Sequence, residues 1–292
     1  MGIVKEHPLA LLKTLCPPVT YHIASLGSGS RGNAYLVGCG DTHFLIDCGL
    51  SARALTAALA QFGQTPDTLS AIFITHEHID HVRALAVLAP RLEVPVYLTY
   101  PCLDALHRAG LRAECLLPQP LEYTACVGCF TVRSFVLSHD SSACVGYRID
   151  CHTDTDERSM CIATDTGYVT DDLRAAARGV QHCILEANHD EHLLMAGRYP
   201  YALKRRILSP QGHLSNEACA AFAVELVANG CTSMLLAHLS EENNYPALAL
   251  QTVQDMLQSV GSAQSCTLQT AMPRQTVIMQ EELLPLQRSE HA

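Results

Sequence analysis

Residues 71–81, Ala-Ile-Phe-Ile-Thr-His-Glu-His-Ile-Asp-His, set a short apolar run directly against three imidazoles and a carboxylate. The run AIFIT is apolar and β-branched, the pattern of a buried strand rather than a solvated one. His76, His78, Asp80 and His81 then fall within six positions. No regular helix or strand aims four such neighbours at one point, so the segment must be a tight loop wrapped around something. Imidazole nitrogen and carboxylate oxygen are the donors that Zn²⁺, Mn²⁺ and Fe²⁺ accept.

Other strands should bring further donors to the same place, and three apolar runs do end in one. TVRSFVLSHD reaches His139, SMCIATDTG reaches Asp165 and TSMLLAHLS reaches His238. Seven donors exceed the three or four protein ligands of a single zinc, but they divide between two ions if one carboxylate bridges. The division expected here gives His76, His78 and His139 to one ion and Asp80, His81 and His238 to the other, with Asp165 between them. A water shared by two cations becomes acidic enough to act as hydroxide near neutral pH. Asp80 has an alternative role as general base.

The rest of the chain alternates short β-branched runs with amphipathic or alanine-rich segments, as in an α/β layer protein. Strands are expected at 20–26, 33–38, 42–47, 71–75, 95–98, 131–137, 143–149, 159–163, 182–186 and 232–236. Helices are expected at 51–62 behind Ser51 as N-cap, 81–89, 101–109 entered through Pro101, 171–178, 215–229 and 246–258. After residue 260 only a strand at 275–279 is suggested. One domain spanning 20–280 is expected, with an N-terminal extension at 1–19 and a tail at 281–292.

A net charge of −10 argues against affinity resting on a broad phosphate-neutralising surface. It leaves a nuclease open, because bound cations add positive charge that the formal count omits. Fifteen histidines against nineteen lysines plus arginines point to metal. No apolar run is long enough to span a bilayer, and the opening stretch MGIVKEHPLALLKTLCPP has no small-residue cleavage site after an apolar core. A cytoplasmic location without membrane partners is therefore expected, and the fourteen cysteines read as reduced, mostly core residues. The CxxC pair Cys126 and Cys129 has no second pair nearby and is left outside the site.

SLGSGSRGNAYLV, HFLIDCGLS, ITHEHIDHV, ATDTGYV and LAHLSEENN together resemble the metallo-β-lactamase fold superfamily. LEANHD (185–190), YPYALKRRILSPQGHLSN (199–216) and AHLSEENN (237–244) are narrower, and resemble the YycJ group, also called WalJ, bacterial 5′-to-3′ double-strand DNA exonucleases. The resemblance runs from about residue 22 to 255. It implies a four-layer αββα sandwich with a dinuclear site at the edge of the sheets, zinc or manganese in it and iron(II) also compatible. All seven metal positions carry the expected residue types. The interval between Asp165 and His238 is too short for the β-CASP insertion of many nucleases in the superfamily. Asp47 falls where the superfamily keeps a buried carboxylate that braces the metal loop.

Further residues suit substrate. Asn188, His189, His213 and Ser215 can bind a phosphate oxygen, and His213 can also assist the leaving group as an acid. Ser215 is equally the N-cap of the helix at 215–229, and a helix N-terminus is itself an anion site. Ser30 and Asn33 belong to the turn SGSRGN, which matches neither a Walker loop nor a dinucleotide fingerprint. Arg198, Lys204, Arg205 and Arg206 form a basic patch suited to a phosphodiester backbone. The expected function is a dinuclear metal-dependent phosphodiesterase, an exonuclease on double-stranded DNA. Alternatives are a small ester, thioester or lactone hydrolase with the same water chemistry, or a non-catalytic regulatory protein.

Overall fold

The computed structural model describes residues 16–153, 156–262 and 264–286. The first fifteen residues of the expected N-terminal extension and the last six of the expected tail lie outside them. Two seven-stranded sheets pack face to face. The first is built from β1 (Cys16–Gly27), β2 (Ala34–Cys39), β3 (Thr42–Ile46), β4 (Ala71–Phe73), β5 (Val96–Thr99) and β6 (Leu116–Gln119). The second contains β7 (Thr124–Val127), β8 (Phe130–Leu137), β9 (Cys144–His152), β10 (Glu157–Ala163), β11 (His182–Glu186), β12 (Ser233–Ala237) and β13 (Thr267–Thr270). The last strand, β14 (Val277–Leu286), returns to the first sheet and pairs antiparallel with β1. Each sheet is antiparallel over one half and parallel over the other: β3 to β6 run parallel, as do β10 to β13.

Helices cover both outer faces. On the first sheet lie α1 (Ala52–Leu59), α2 (Ile79–Val82), α3 (Leu85–Leu88) and α4 (Tyr100–Arg108). The second half of the chain adds α5 (Asp171–Ala176), α6 (Glu191–Ala196), α7 (Tyr201–Ile207), α8 (Asn216–Ala228) and α9 (Pro246–Ser259). Alternation along the strands explains why this makes three cores and four layers, since successive side chains enter opposite faces. In β4, Ile72 joins the helix-facing core with Leu55 and Leu85, while Ala71 and Phe73 face the second sheet. In β11 and β12, Ile184 and Leu235 enter the core between the sheets, and Cys183, Leu185, Met234 and Leu236 pack against the helices α8 and α9. The four-layer αββα sandwich expected from the resemblance is therefore the fold, and the interval from Asp165 to His238 holds only α5, β11, α6 to α8 and β12.

Three boundaries differ for identifiable reasons. The helix expected at 81–89 is broken into α2 and α3, because the Cys48 N–H donates to the His81 carbonyl and Ala84 N–H to the Cys48 carbonyl. Those bonds tie the segment to the end of β3 instead of letting it run on. The helix expected to residue 62 ends at Leu59 and tightens into a 3₁₀ turn closed by Gly63 at φ 68°. Strands β6, β7 and β13, of four residues each, and helices α6 and α7, of six and seven, are too short to show a period in the sequence. The pairing of β1 with β14 extends the first sheet outside the 20–280 bounds, to Cys16 and Leu286.

His182 opens β11 at the end of the sheet away from the strand-end donors, and it is buried with neither ring nitrogen hydrogen-bonded. Burial, assisted by the Arg158 guanidinium, pushes its pKa down to about 4 from 6.5. The unfolded chain thus binds a proton the folded chain refuses. Its contribution is complete above pH 6.5 and is lost as pH falls toward 4, up to about 3 kcal/mol. A His182→Gln protein should show a flatter fall in unfolding free energy from pH 6.5 to 4, measured by denaturant titration. Parallel pH profiles for the two proteins would refute this.

Candidate metal centre

In an α/β sheet the C-terminal ends of parallel strands face one edge, and loops leaving them converge there. Asp47 follows β3, His76 follows β4, Asp165 follows β10, Glu186 ends β11 and His238 follows β12. His139 arrives from the end of β8. Among the described residues only three non-glycine residues have positive φ: Asp47 at 60°, Asp165 at 60° and His238 at 54°. Each is a strand-end residue turned sharply inward. Such geometry costs on the order of 1–3 kcal/mol per residue and persists where surrounding structure enforces it.

Donor atoms of His76, His78 and His139 lie within 4.8 Å of one another, and so do those of Asp80, His81 and His238. Asp165 falls within the same limit of His76 and His81, and separately of Glu186, His213 and His238. The structure thus brings together all seven residues in the two groups expected, with the Asp165 carboxylate between them. Asp165 Oδ2 is 3.2 Å from His81 Nε2, and its Oδ1 is 3.4 Å from His238 Nδ1. His76 Nε2, His238 Nε2 and Asp165 Oδ2 are buried without a hydrogen bond. Buried polar atoms are otherwise almost always satisfied, so atoms left open and converging are the arrangement a cation needs.

Four of the five imidazoles have a partner behind them, His76 Nδ1 lying 3.0 Å from the Thr75 hydroxyl. His81 Nδ1 bonds Asp47 Oδ2 at 2.7 Å, His139 Nδ1 donates to the Gly212 carbonyl at 3.0 Å, and His238 Nδ1 bonds Glu186 Oε1 at 2.8 Å. These bonds turn Nε2 toward the centre and fix the tautomer, as metal-ligating histidines require. Asp47 also accepts from the Thr75 N–H at 2.9 Å and from the Thr75 hydroxyl. It is therefore the brace of the 76–81 loop. The loop also needs Gly49: a Cβ there would lie 1.6 Å from the Asp80 carbonyl.

Charges in the cluster oppose burial. Burial alone would raise the Asp165 pKa, but His238 and His81 hold it well below the ordinary range. Burial would lower His81, yet Asp165 and Asp47 outweigh it and keep it well above 6.5. His238 is raised to about 10 against burial, by Asp165, Asp80 and Glu186. Asp165 stays anionic in a buried site, the form that accepts a cation, and a cation bound at His81 and His238 would displace the protons these carboxylates hold there.

Glu186 is the residue the sequence reading passes over. It is fully buried, and its Oε1 accepts from both His213 Nδ1 and His238 Nδ1 at 2.8 Å. Its Oε2 accepts from the N–H groups of Thr166 at 2.9 Å and Leu214 at 3.1 Å. The signal was available, since CILE is another apolar strand ending in a donor.

The expected substrate residues are placed unequally. Ser30, Asn188 and His213 line one cavity of about 160 Å³ with Arg206, Tyr199 and Ser240. Asn33 is buried, and its amide accepts from Gly29 N–H at 2.9 Å and lies 3.2 Å from His81 Nε2, bracing the SGSRGN turn against the loop. The same turn holds His238, whose N–H donates to the Ser28 hydroxyl at 2.8 Å. His189 is buried, and Ser215 caps α8 by accepting from the Ala218 N–H at 3.2 Å. In the basic patch, Lys204 donates to the carbonyls of Met195 and Gly197 and Arg206 pairs with Asp140, while Arg198 and Arg205 are exposed.

Residues 42–239 match the family described as the β-lactamase superfamily domain. The exodeoxyribonuclease YycJ of Bacillus anthracis is 35% identical over 247 residues, 82% of this chain and 90% of that one. The exodeoxyribonuclease WalJ of Streptococcus pneumoniae serotype 2 is 34% identical over 243 residues, 82% of this chain and 89% of that one. The metallo-β-lactamase fold protein YhfI of Bacillus subtilis superposes with a TM-score of 0.62 at 18% identity, covering 89% of this chain and 99% of its own, which is likeness of fold. Strand order, inward-turned strand ends and sequence identity over most of the length agree: the chain belongs to the metallo-β-lactamase superfamily of hydrolases, in the YycJ/WalJ group.

Proposed function

We propose that the chain is a phosphodiesterase with two divalent cations, zinc or manganese, acting as a 5′-to-3′ exonuclease on double-stranded DNA. The observation that carries the reading is the pair of three-donor groups joined through Asp165. The choice of DNA is supported by relatives named exodeoxyribonucleases at 34–35% identity over 82% of the chain. His76, His78 and His139 would hold one cation, Asp80, His81 and His238 the other, and Asp165 both. Two such cations would supply a water acidic enough to deprotonate near neutral pH, and positive charge against phosphoryl oxygens.

The protein's own residues do the positioning. His213 reaches the cavity with Nδ1 fixed on Glu186, whose carboxylate overcomes burial and holds the imidazole above its ordinary pKa. A protonated His213 can donate to a phosphate oxygen or to the departing one. Ser30 and Asn188, at the cavity wall, offer further polar contacts. Asp80 stands beside His238 Nε2 at 3.5 Å, so its carboxylate serves a cation or takes a proton from the same point. Among the described residues no helix is long and apolar enough to cross a membrane. Among the described residues the cysteines are free and mostly buried, which suits action in the reducing cytoplasm.

Purified protein supplied with Mn²⁺ or Zn²⁺ and duplex DNA labelled at its 5′ ends should release labelled mononucleotide early, and chelation should stop it. Turnover of thioesters or lactones with the duplex left intact would replace this reading with that of a small-molecule hydrolase.

A further inference from the structure

At the end of the sandwich opposite the candidate metal centre, three thiols from two strands and a turn meet. Cys39 closes β2, Cys129 immediately precedes β8 and Cys151 lies near the end of β9. Strand β8 runs from Phe130 to Leu137, so roughly 25 Å of extended chain separates this cluster from His139. Two glycine turns bring the sheets together there. Gly40, at φ 58°, turns β2 into β3, and Gly128, at φ 55°, turns β7 into β8. The turns are so closely apposed that a Cβ on Gly128 would fall 2.1 Å from the Thr42 hydroxyl. On the other side, the His152 N–H donates to the Cys129 carbonyl at 2.9 Å, which sets Cys151 beside it.

Cys129 Sγ and Cys151 Sγ are 3.7 Å apart, and all three sulfurs lie within 4.8 Å of one another. We propose that Cys39, Cys129 and Cys151 form a separate site for a thiophilic cation, zinc, that clamps the two sheets together at the end away from the catalytic centre. Zinc binds thiolate at about 2.3 Å, which puts two sulfurs of a tetrahedral site about 3.8 Å apart. The Cys129–Cys151 separation needs almost no adjustment to meet that value, whereas a disulfide would require the sulfurs to close to about 2.05 Å. Three protein thiolates leave a fourth position for water. Cys39 and Cys151 are buried and Cys129 is half-buried, so the cluster has a route to solvent. Hydrogen bonds from Cys151 and Cys39 push the Cys129 thiol down and hold those two thiols up, so one sulfur is ready as thiolate and a cation bound by all three would displace two protons. Cys126, the other half of the CxxC, is exposed and takes no part. The site draws on both sheets, so a cation there would be linked to folding rather than to hydrolysis.

Cobalt separates this site from the histidine–aspartate centre, because only thiolate ligands give a near-ultraviolet sulfur-to-cobalt charge-transfer band. Co²⁺-loaded full-length protein should show that band, and Cys129→Ser should remove it together with one equivalent of metal per chain while hydrolysis continues. Cys129 is the least buried of the three, so its serine variant is the one most able to fold, and the wild-type spectrum alone provides a second reading. No charge-transfer band in the wild type, or equal metal content in the two proteins, would reduce the cluster to packed core thiols. An intact mass short of two hydrogens, with no thiolate-bound metal, would make it a disulfide and equally overturn the proposal.

Discussion

Asp165→Asn is expected to lower hydrolysis on the order of 10³-fold and to reduce bound metal, because this carboxylate lies between both donor groups. Its oxygens stand 3.2 Å from His81, 3.4 Å from His238 and 3.8 Å from His139. Losing one preorganised charge contact in a buried active site typically costs 10²–10³-fold, and this residue would serve two cations at once. Asparagine is the informative replacement. It tolerates the left-handed conformation at φ 60° far better than alanine and keeps the side-chain volume, so the effect isolates the charge. Metal content by elemental analysis and mononucleotide release from duplex DNA are the measurements. Full metal content with near-wild-type release would remove Asp165 from the centre.

Glu186→Gln should destabilise the fold and loosen the metals together. Every atom that faces this carboxylate is a donor: two imidazole Nδ1 groups on one oxygen and two backbone N–H groups on the other. The amide NH₂ of glutamine therefore opposes donors whichever way it is turned. Leaving buried donors unsatisfied costs about 1–3 kcal/mol, and losing the group that orients a ligating histidine costs about 10- to 100-fold in metal affinity. A lowered denaturation midpoint and faster metal loss to a chelator are expected. A glutamine protein equal to wild type in both would show that His238 and His213 need no carboxylate behind them.

The metal loop, the seven donors and the layered fold are legible because the information is local. Continuous apolar, β-branched runs mark the buried strands, and a donor placed just after such a run is carried to the strand's end. Glu186 shows where this reading falters. Its position at the end of β11 is visible, but its role depends on histidines 27 and 52 residues away in sequence. Asn33 is the reverse case, since a polar side chain in a Gly/Ser turn looks available to substrate, yet folding buries it against His81. The break between α2 and α3 likewise depends on Cys48, which only packing brings alongside.

Residue order by itself determined which side chains arrive at the strand ends, because alternation and strand length are properties of neighbouring residues. Tertiary structure alone decided which distant groups face one another: Glu186 behind two histidines, β14 closing the sheet on β1, and Cys39 beside Cys129 and Cys151. Those pairings depend on how two sheets twist and stack, and loop closure over tens to hundreds of residues leaves no periodic trace in the chain.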